Sequence, residues 1–367
     1  MPTTRAFARR AFQCGLYEAQ DVLCETEDVD LIPLRPRKGF QLKQHWQRRL
    51  LYRDVSKRLI YLNPGLERVR LTQDYDLFVA VCQNYWDLLY LNAIEGWKDR
   101  CRTSVIWLDE IWAALIPYYK YWLHALTRFD HIFVGCSGSV RPLSAAIGRQ
   151  CHWLPGGVDA MRFTPYPNPP KRVIDVYSIG RRCEGIHQSL LRMAANRKIF
   201  YVHDTFPAAD MVPYDYRQHR DLLANTAKRS RYFIVARAKV DAPAETQGQV
   251  EIGFRYYEGS AAGAVLIGQT LDDDSFRDMF GWPDAVIDVR PDGSDLCQVL
   301  STLESDQDRV HEISRRNASE ALRRHDWVYR WKTIFAAAGV ALPQGLVARE
   351  RYLATLAAMA AVAGGVA

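Results

Sequence analysis

From residue 75 onward, apolar residues fall into short compact runs separated by stretches with helical spacing. The runs "YDLFVAV" (75–81), "SVIWL" (104–108), "HIFVG" (131–135) and "CHWL" (151–154) have the length of strands. Between them, "NYWDLLYLNAIEGWKDR" (84–100), "WAALIPYYKYWLHAL" (112–126) and "SVRPLSAAIG" (139–148) space their large apolar residues as one helix face would. Residues 155–172, with two glycines and five prolines, break this rhythm and predict a connection between units. The alternation then restarts. Strands are expected at "VIDVYSIG" (173–180), "IFYVHD" (199–204) and "RYFIVA" (231–236), with helices near 186–197 and 217–229. "AVIDV" (285–289) and a run of helices over 294–340 follow.

Strands alternating with helices predict parallel pairing, because a parallel crossover needs a dozen or more residues. The fold class expected is therefore α/β, in two successive units, and the length of the chain makes two domains sharing a cleft the sensible expectation. The boundaries are residues 1–155 for the first unit, 156–172 for the linker, 173–330 for the second, and 331–367 for helices that cross back or fray. The first 70 residues are less regular. "VDLIPL" (29–34) reads as an edge strand and "KQHWQRRLLYRDVSKRLIYL" (43–62) as a basic amphipathic helix.

Composition adds little to this picture. The chain has 367 residues, 48% hydrophobic and 25% charged, and a formal net charge of +6, as expected for an ordinary globular protein of two domains. With Lys and Arg scattered among acids, no nucleic-acid partner is expected. The eight cysteines include no C-x-x-C pair, so they predict free thiols in a reducing cytoplasm. The opening "MPTTRAFARRAFQCG" lacks the apolar run of a signal peptide. The tail "YLATLAAMAAVAGGVA" (352–367) is too short and weakly hydrophobic to span a bilayer. It predicts a docking helix, with a peripheral contact at the inner membrane face as the open alternative.

In open parallel sheets, ligands collect beyond the carboxyl ends of strands, so the loops there are searched first. In "SIGRRCEGIHQSL" (178–190), Gly180 allows a tight turn, Arg181 offers a forked donor to phosphate oxygens, and a helix start adds its positive end. The simpler reading is a glycine turn with two exposed arginines. In "RYYEGSAAGAVLIG" (255–268), Arg255 and Glu258 lie three apart on one helix face near its start. A surface ion pair is the simple account, but the small residues after it suit close packing against a neighbour or a ligand. Asp109, at the end of "VIWLDE", could serve as a general base or as a helix cap.

"WLPGGVDAMRFTPYP", "SIGRRCEGIHQSLL", "RYYEGSAAGAVLIG" and "RHDWVYRWKTIF" stand in an order that resembles group 1 glycosyltransferases of the GT-B fold, closest to the spore-maturation and polysaccharide subgroup. The likeness covers roughly residues 75–340. It implies two facing Rossmann-like domains, a nucleotide diphosphate sugar held as co-substrate by the second, and an acceptor presented by the first. It implies that Glu258 accepts from the ribose hydroxyls, that Arg181 meets the diphosphate, and that Gly180, Lys239, Glu251, Gly253, Phe254, Arg255 and Gly259 surround the donor. Glycan, lipid-linked or small-molecule hydroxyls are the implied acceptors. Proteins of this fold usually offset phosphate charge with their own cations, so the resemblance implies neither a metal nor a further cofactor.

Some positions depart from the family pattern. Glu251 and Glu258 enclose six residues instead of seven, Ile186 stands where a lysine is usual, and Asp109 falls near the position of a histidine. These departures keep two other readings open: a nucleotide-sugar hydrolase or epimerase, and a binding protein that has kept the fold without the activity.

Overall fold

The computed structural model describes residues 1–26, 29–53, 55–205 and 212–362. Its strands, in chain order, are β1 (Pro2–Thr3), β2 (Ile32–Pro33), β3 (Val69–Arg70), β4 (Tyr75–Asn84), β5 (Ile94–Glu95), β6 (Cys101–Glu110), β7 (His131–Val134) and β8 (His152–Trp153), followed by β9 (Ile174–Ser178), β10 (Tyr201–His203), β11 (Ser230–Ile234), β12 (Val265–Gly268) and β13 (Ile287–Asp288). β4, β6, β7 and β8 form one parallel sheet in that order, and the second is ordered β10-β9-β11-β12-β13, also parallel. β1 pairs with β2 and β3 with β5. The fold is α/β with parallel sheets, as the alternation of runs and helical stretches predicts, and of the GT-B type, as the resemblance implies.

Strands covered on both faces read as continuous apolar runs, and β6 is the clearest case, with Val105, Ile106, Trp107 and Leu108 all at 0% exposure. One face of each sheet contributes to a shared core. Val79, Trp107 and Phe133 of the first sheet join Tyr177, Phe233 and Leu266 of the second, together with Trp327 and Trp331 from the late helices. The chain therefore returns across the first unit after completing the second. The Trp107 and Trp327 rings lie 5.7 Å apart.

Several expected helices take other forms. Residues 84–100 are not one helix: β4 runs on to Asn84, which caps a 3-10 stretch (Tyr85–Ala93), and β5 and a short helix (Trp97–Arg100) follow. Asp87 folds back onto the Gln83 and Asn84 amides, a local bond that competes with an α-ladder. The stretch 112–126 is mostly 3-10, because Pro117 sits inside it and has no N–H to donate. The basic helix spans Phe40–Tyr52 and gives way to a 3-10 turn (Lys57–Tyr61).

The sequence pattern gives no sign of the helix Cys14–Thr26, although Cys14 through Leu23 are all buried. Its polar residues Glu18 and Asp21 look solvent-facing in sequence, yet their partners, Arg220 and Arg217, lie some two hundred residues away. The tail forms the helix Gln344–Val362, which buries Leu346, Leu353, Leu356 and Ala360; positions 363–367 lie outside the described residues. Among the described residues, no helix is long and apolar enough to cross a membrane.

Candidate functional site

In the second sheet, β9 leads to β10 on one side, while β11 leads to β12 on the other. The crevice beyond the carboxyl ends of β9 and β11 is thus a topological switch point, where open α/β sheets bind ligands. Two loops leave it, 179–183 after β9 and 235–253 after β11.

Gly180 turns the first loop with φ +81°, a conformation that favours glycine. Its N–H donates to Asp204 Oδ2 at 2.9 Å, and a Cβ there would stand 3.2 Å from Arg255 Nη2. Arg182 pairs with the same Asp204 at 2.5 Å. Arg181 is partly exposed and pairs with Asp241.

Arg255 reaches this turn from the helix Phe254–Ala261. Its Nε donates to Ile179 O at 3.1 Å, and its Nη1 pairs with Glu258. The other Glu258 oxygen is held by Arg220, which donates to Glu18 at 2.7 and 3.0 Å. Glu18 also accepts from the Asp159 amide at 2.7 Å and from Trp327 Nε1 at 3.0 Å. A file of alternating charges, Arg255–Glu258–Arg220–Glu18, thus runs from the crevice into the helix Cys14–Thr26. Burial would push the Glu258 carboxyl up, but Arg255 and Arg220 outweigh it and hold it below the usual carboxylate range. Burial likewise opposes the Arg220 charge, and Glu18 and Glu258 more than restore it.

This arrangement corrects several expectations. The Glu258 side chain is 1% exposed and each oxygen already accepts from a guanidinium group, so in this structure it is covered and not open to a ribose diol. It orients Arg255 instead. Phe254 packs against Trp327 and Tyr257, and a Cβ on Gly259 would stand 2.6 Å from Leu266 and 2.8 Å from Phe233, so both are packing residues. Gly253 lets the helix start pass close to Ala236 O, where a Cβ would stand at 2.5 Å.

The second loop closes on the first unit. Glu251 is 5% exposed and accepts from the Ser137 amide at 2.8 Å, the Gly138 amide at 2.9 Å and Gln249 at 2.6 Å. Gln249 accepts from the Ala113 amide at 2.8 Å and donates to Ser139 at 3.0 Å. Burial pushes the Glu251 carboxyl up despite these donors. Lys239 bridges Glu110 and Glu245, both at 2.5 Å; burial opposes its charge, and the two carboxylates raise its pKa. Glu251 and Lys239 thus join the two units instead of lining open space. The carboxyl ends of the two sheets face each other across these contacts. A cavity of about 570 Å³ lies alongside, lined by Ser137, Gly138, Arg141, Trp153, Ser275 and Asp278.

Asp109 closes β6 at 8% exposure and accepts from Gln83 at 2.8 Å. Burial first, then the Glu110 charge, push its carboxyl up to about 7. Sequence reasoning missed Glu18, Arg220, Asp204 and Gln249. Asp204 had a signal, since it follows "IFYVH" at the carboxyl end of β10; the partners of Glu18 and Arg220 are set by tertiary packing alone.

No family model matches the chain, and no curated protein is similar to it. Two solved structures share its fold, both of an alpha-glucosyltransferase in complex with UDP and a 13-mer DNA containing a HMU base. One has a TM-score of 0.51 at 11% identity, covering 92% of this chain and 98% of that one. The other has a TM-score of 0.52 at 10% identity, with the same coverage. These structures overturn one expectation. Both hold DNA, so the expectation of no nucleic-acid partner does not stand.

Proposed function

We propose that the chain is a glycosyltransferase that moves a sugar from a nucleotide diphosphate donor to an acceptor hydroxyl. The carrying observation is Arg255, fixed by Glu258 and leaning over the Gly180 turn at the switch point of the second sheet. A diphosphate there would exchange with the carboxylates already on these donors, Asp241 on Arg181 and Asp204 on the Gly180 amide. The Arg181–Asp241 pair is partly exposed and worth only about 0–1 kcal/mol, so exchange there costs little, whereas Asp204 is largely covered and also holds Arg182. The protein's own cations would then stabilise the departing diphosphate without a metal.

This reading keeps the division of the chain at 156–172, with the donor held by residues 173–330 and the acceptor presented by residues 1–155. The finer likeness to the spore-maturation and polysaccharide subgroup rests on the sequence landmarks. The known fold-mates extend the acceptor classes to include DNA alongside glycan, lipid-linked and small-molecule hydroxyls. A second reading, a binding protein that has kept the fold, is favoured by the engagement of both Glu258 oxygens.

The test is a thermal-shift screen of nucleotide diphosphate sugars, followed by mass spectrometry of products with each acceptor class. Binding to the folded state raises the melting temperature with ligand concentration. A shift with transfer supports the transferase, and a shift with hydrolysis or no turnover supports a rival. No shift with any nucleotide sugar sinks the proposal.

A further inference from the structure

Residues 35–62 contain nine Lys or Arg and one Asp, against a net charge of only +6 for the whole chain. The helix Phe40–Tyr52 turns Phe40, Gln47 and Leu51 inward. Along its outer face, Leu42, Trp46, Arg49 and Arg53 follow one another at helical spacing. Leu42 is 65% and Trp46 51% exposed, and the Arg49 guanidinium sits 5.5 Å from the Trp46 ring centroid. Val55 and Leu62, just past the helix in sequence, are also exposed, at 61% and 52%. Gln47 ties Leu62 to the helix by donating to Leu62 O at 2.8 Å.

Large apolar residues exposed side by side on a helix face and flanked by charge, as Leu42 and Trp46 are, mark an interaction surface. A nucleic acid would use the cations and the aromatic rings, but would gain nothing from Leu42, Val55 and Leu62. A bilayer interface uses all three kinds, with aliphatic and Trp side chains in the acyl boundary and Lys or Arg at anionic headgroups. We propose that this stripe docks the protein on an anionic lipid bilayer.

Its position bears on the candidate site. Tyr52, at the end of the helix, hydrogen-bonds Tyr85 at 2.9 Å and packs on Tyr119 and Trp122. Tyr85 and Tyr119 follow the carboxyl ends of β4 and β6, the edge that faces the second sheet. If the transferase reading holds, on which this step rests, the acceptor class delivered there is a lipid-linked hydroxyl.

The experiment is co-sedimentation of the full chain with phosphatidylcholine vesicles, with and without phosphatidylglycerol, alongside a fluorescent duplex DNA. Binding only to the anionic vesicles is expected, weakened about tenfold or more by either Leu42→Gln/Trp46→Ala or Arg49→Glu/Arg53→Glu. All four residues are exposed, and the nucleotide-sugar thermal shift of both double variants should match wild type, which shows that they fold. The proposal is overturned if the chain ignores anionic vesicles, if both variants bind as wild type does, or if DNA binds instead and only the arginine pair weakens it. Vesicle binding lost in variants whose ligand-free melting temperature matches wild type, with no nucleotide-sugar shift in any of the proteins, keeps the bilayer surface and removes the transferase reading.

Discussion

Arg255 and Glu258, three residues apart on one helix, form an ion pair whose acidic member is fully covered and whose basic member bonds the Ile179 carbonyl across the crevice. A guanidinium held at both ends loses little freedom when it meets an anion. Arg255→Ala should therefore weaken nucleotide-diphosphate-sugar binding by roughly ten- to a hundredfold, the scale of a lost hydrogen bond to a charged group. Calorimetric titration checks this, and unchanged affinity would remove Arg255 from the site.

Glu258→Gln should cost far more in stability than an exposed pair would. It leaves Arg220 and Arg255 sharing a covered site with one carboxylate fewer, and breaking a buried pair costs about 3–5 kcal/mol. Denaturant unfolding measures it. A loss below about 1 kcal/mol would mean that water reaches the pair in solution.

Asp109 supports a prediction with two readouts. Its folded pKa of about 7 lies above the usual 3.8, so its contribution to stability is complete below the unfolded value and is lost as pH rises through about 7. Asp109→Asn should therefore unfold later than wild type at pH 8. If the carboxylate also takes the acceptor's proton, wild-type turnover should rise through pH 7 and the variant should lose that limb. A stability gain with unchanged turnover assigns Asp109 a structural role only.

How much of this was legible in sequence follows from the range of each interaction. β6 shows as "SVIWL" because a strand covered on both faces must be apolar throughout, and the Gly180 turn shows because a left-handed φ favours glycine. The ion file was hidden. Glu18 and Arg220 are separated by 202 residues, and in sequence each looks like an ordinary surface charge. Position beyond a strand end found Arg181 and Arg255. It did not reveal that Glu258, one turn further along the helix, is sealed beneath them. Local propensity also failed where a single side chain decided the outcome, as Pro117 did for residues 112–126.

At Gly259 the Glu258 helix lies tight against the second sheet. A Cβ there would stand 2.6 Å from Leu266 and 2.8 Å from Phe233, both fully buried and unable to move aside. Gly259→Ala should destabilise by about 1–3 kcal/mol, the usual cost of overpacking, although alanine is the better helix former. Thermal unfolding checks the sign, and a more stable variant would show that the two elements pack more loosely.

His325 should set an acid limit on the fold. It is 0% exposed among Tyr257, Phe280 and Trp282, and neither ring nitrogen has a hydrogen-bond partner among the described residues. Burial, followed by the charges of Arg330 and Arg324, holds its pKa well below the ordinary 6.5. The folded state therefore carries the neutral ring, while the unfolded chain takes up a proton near 6.5. The stability this gives is complete above pH 6.5 and is lost progressively as pH falls toward the depressed value. His325 by itself lowers the melting temperature at pH 5 relative to pH 7.5, while carboxyls raised by burial, Asp109 among them, act in the opposite sense. His325→Phe replaces the ring with one that cannot titrate in the same aromatic cage, so it should flatten that difference. An equally steep fall in the variant would assign the acid sensitivity to other groups, first among them His187 and His219, whose rings burial also holds below 6.5; the Glu258 contribution is lost only below pH 4.5.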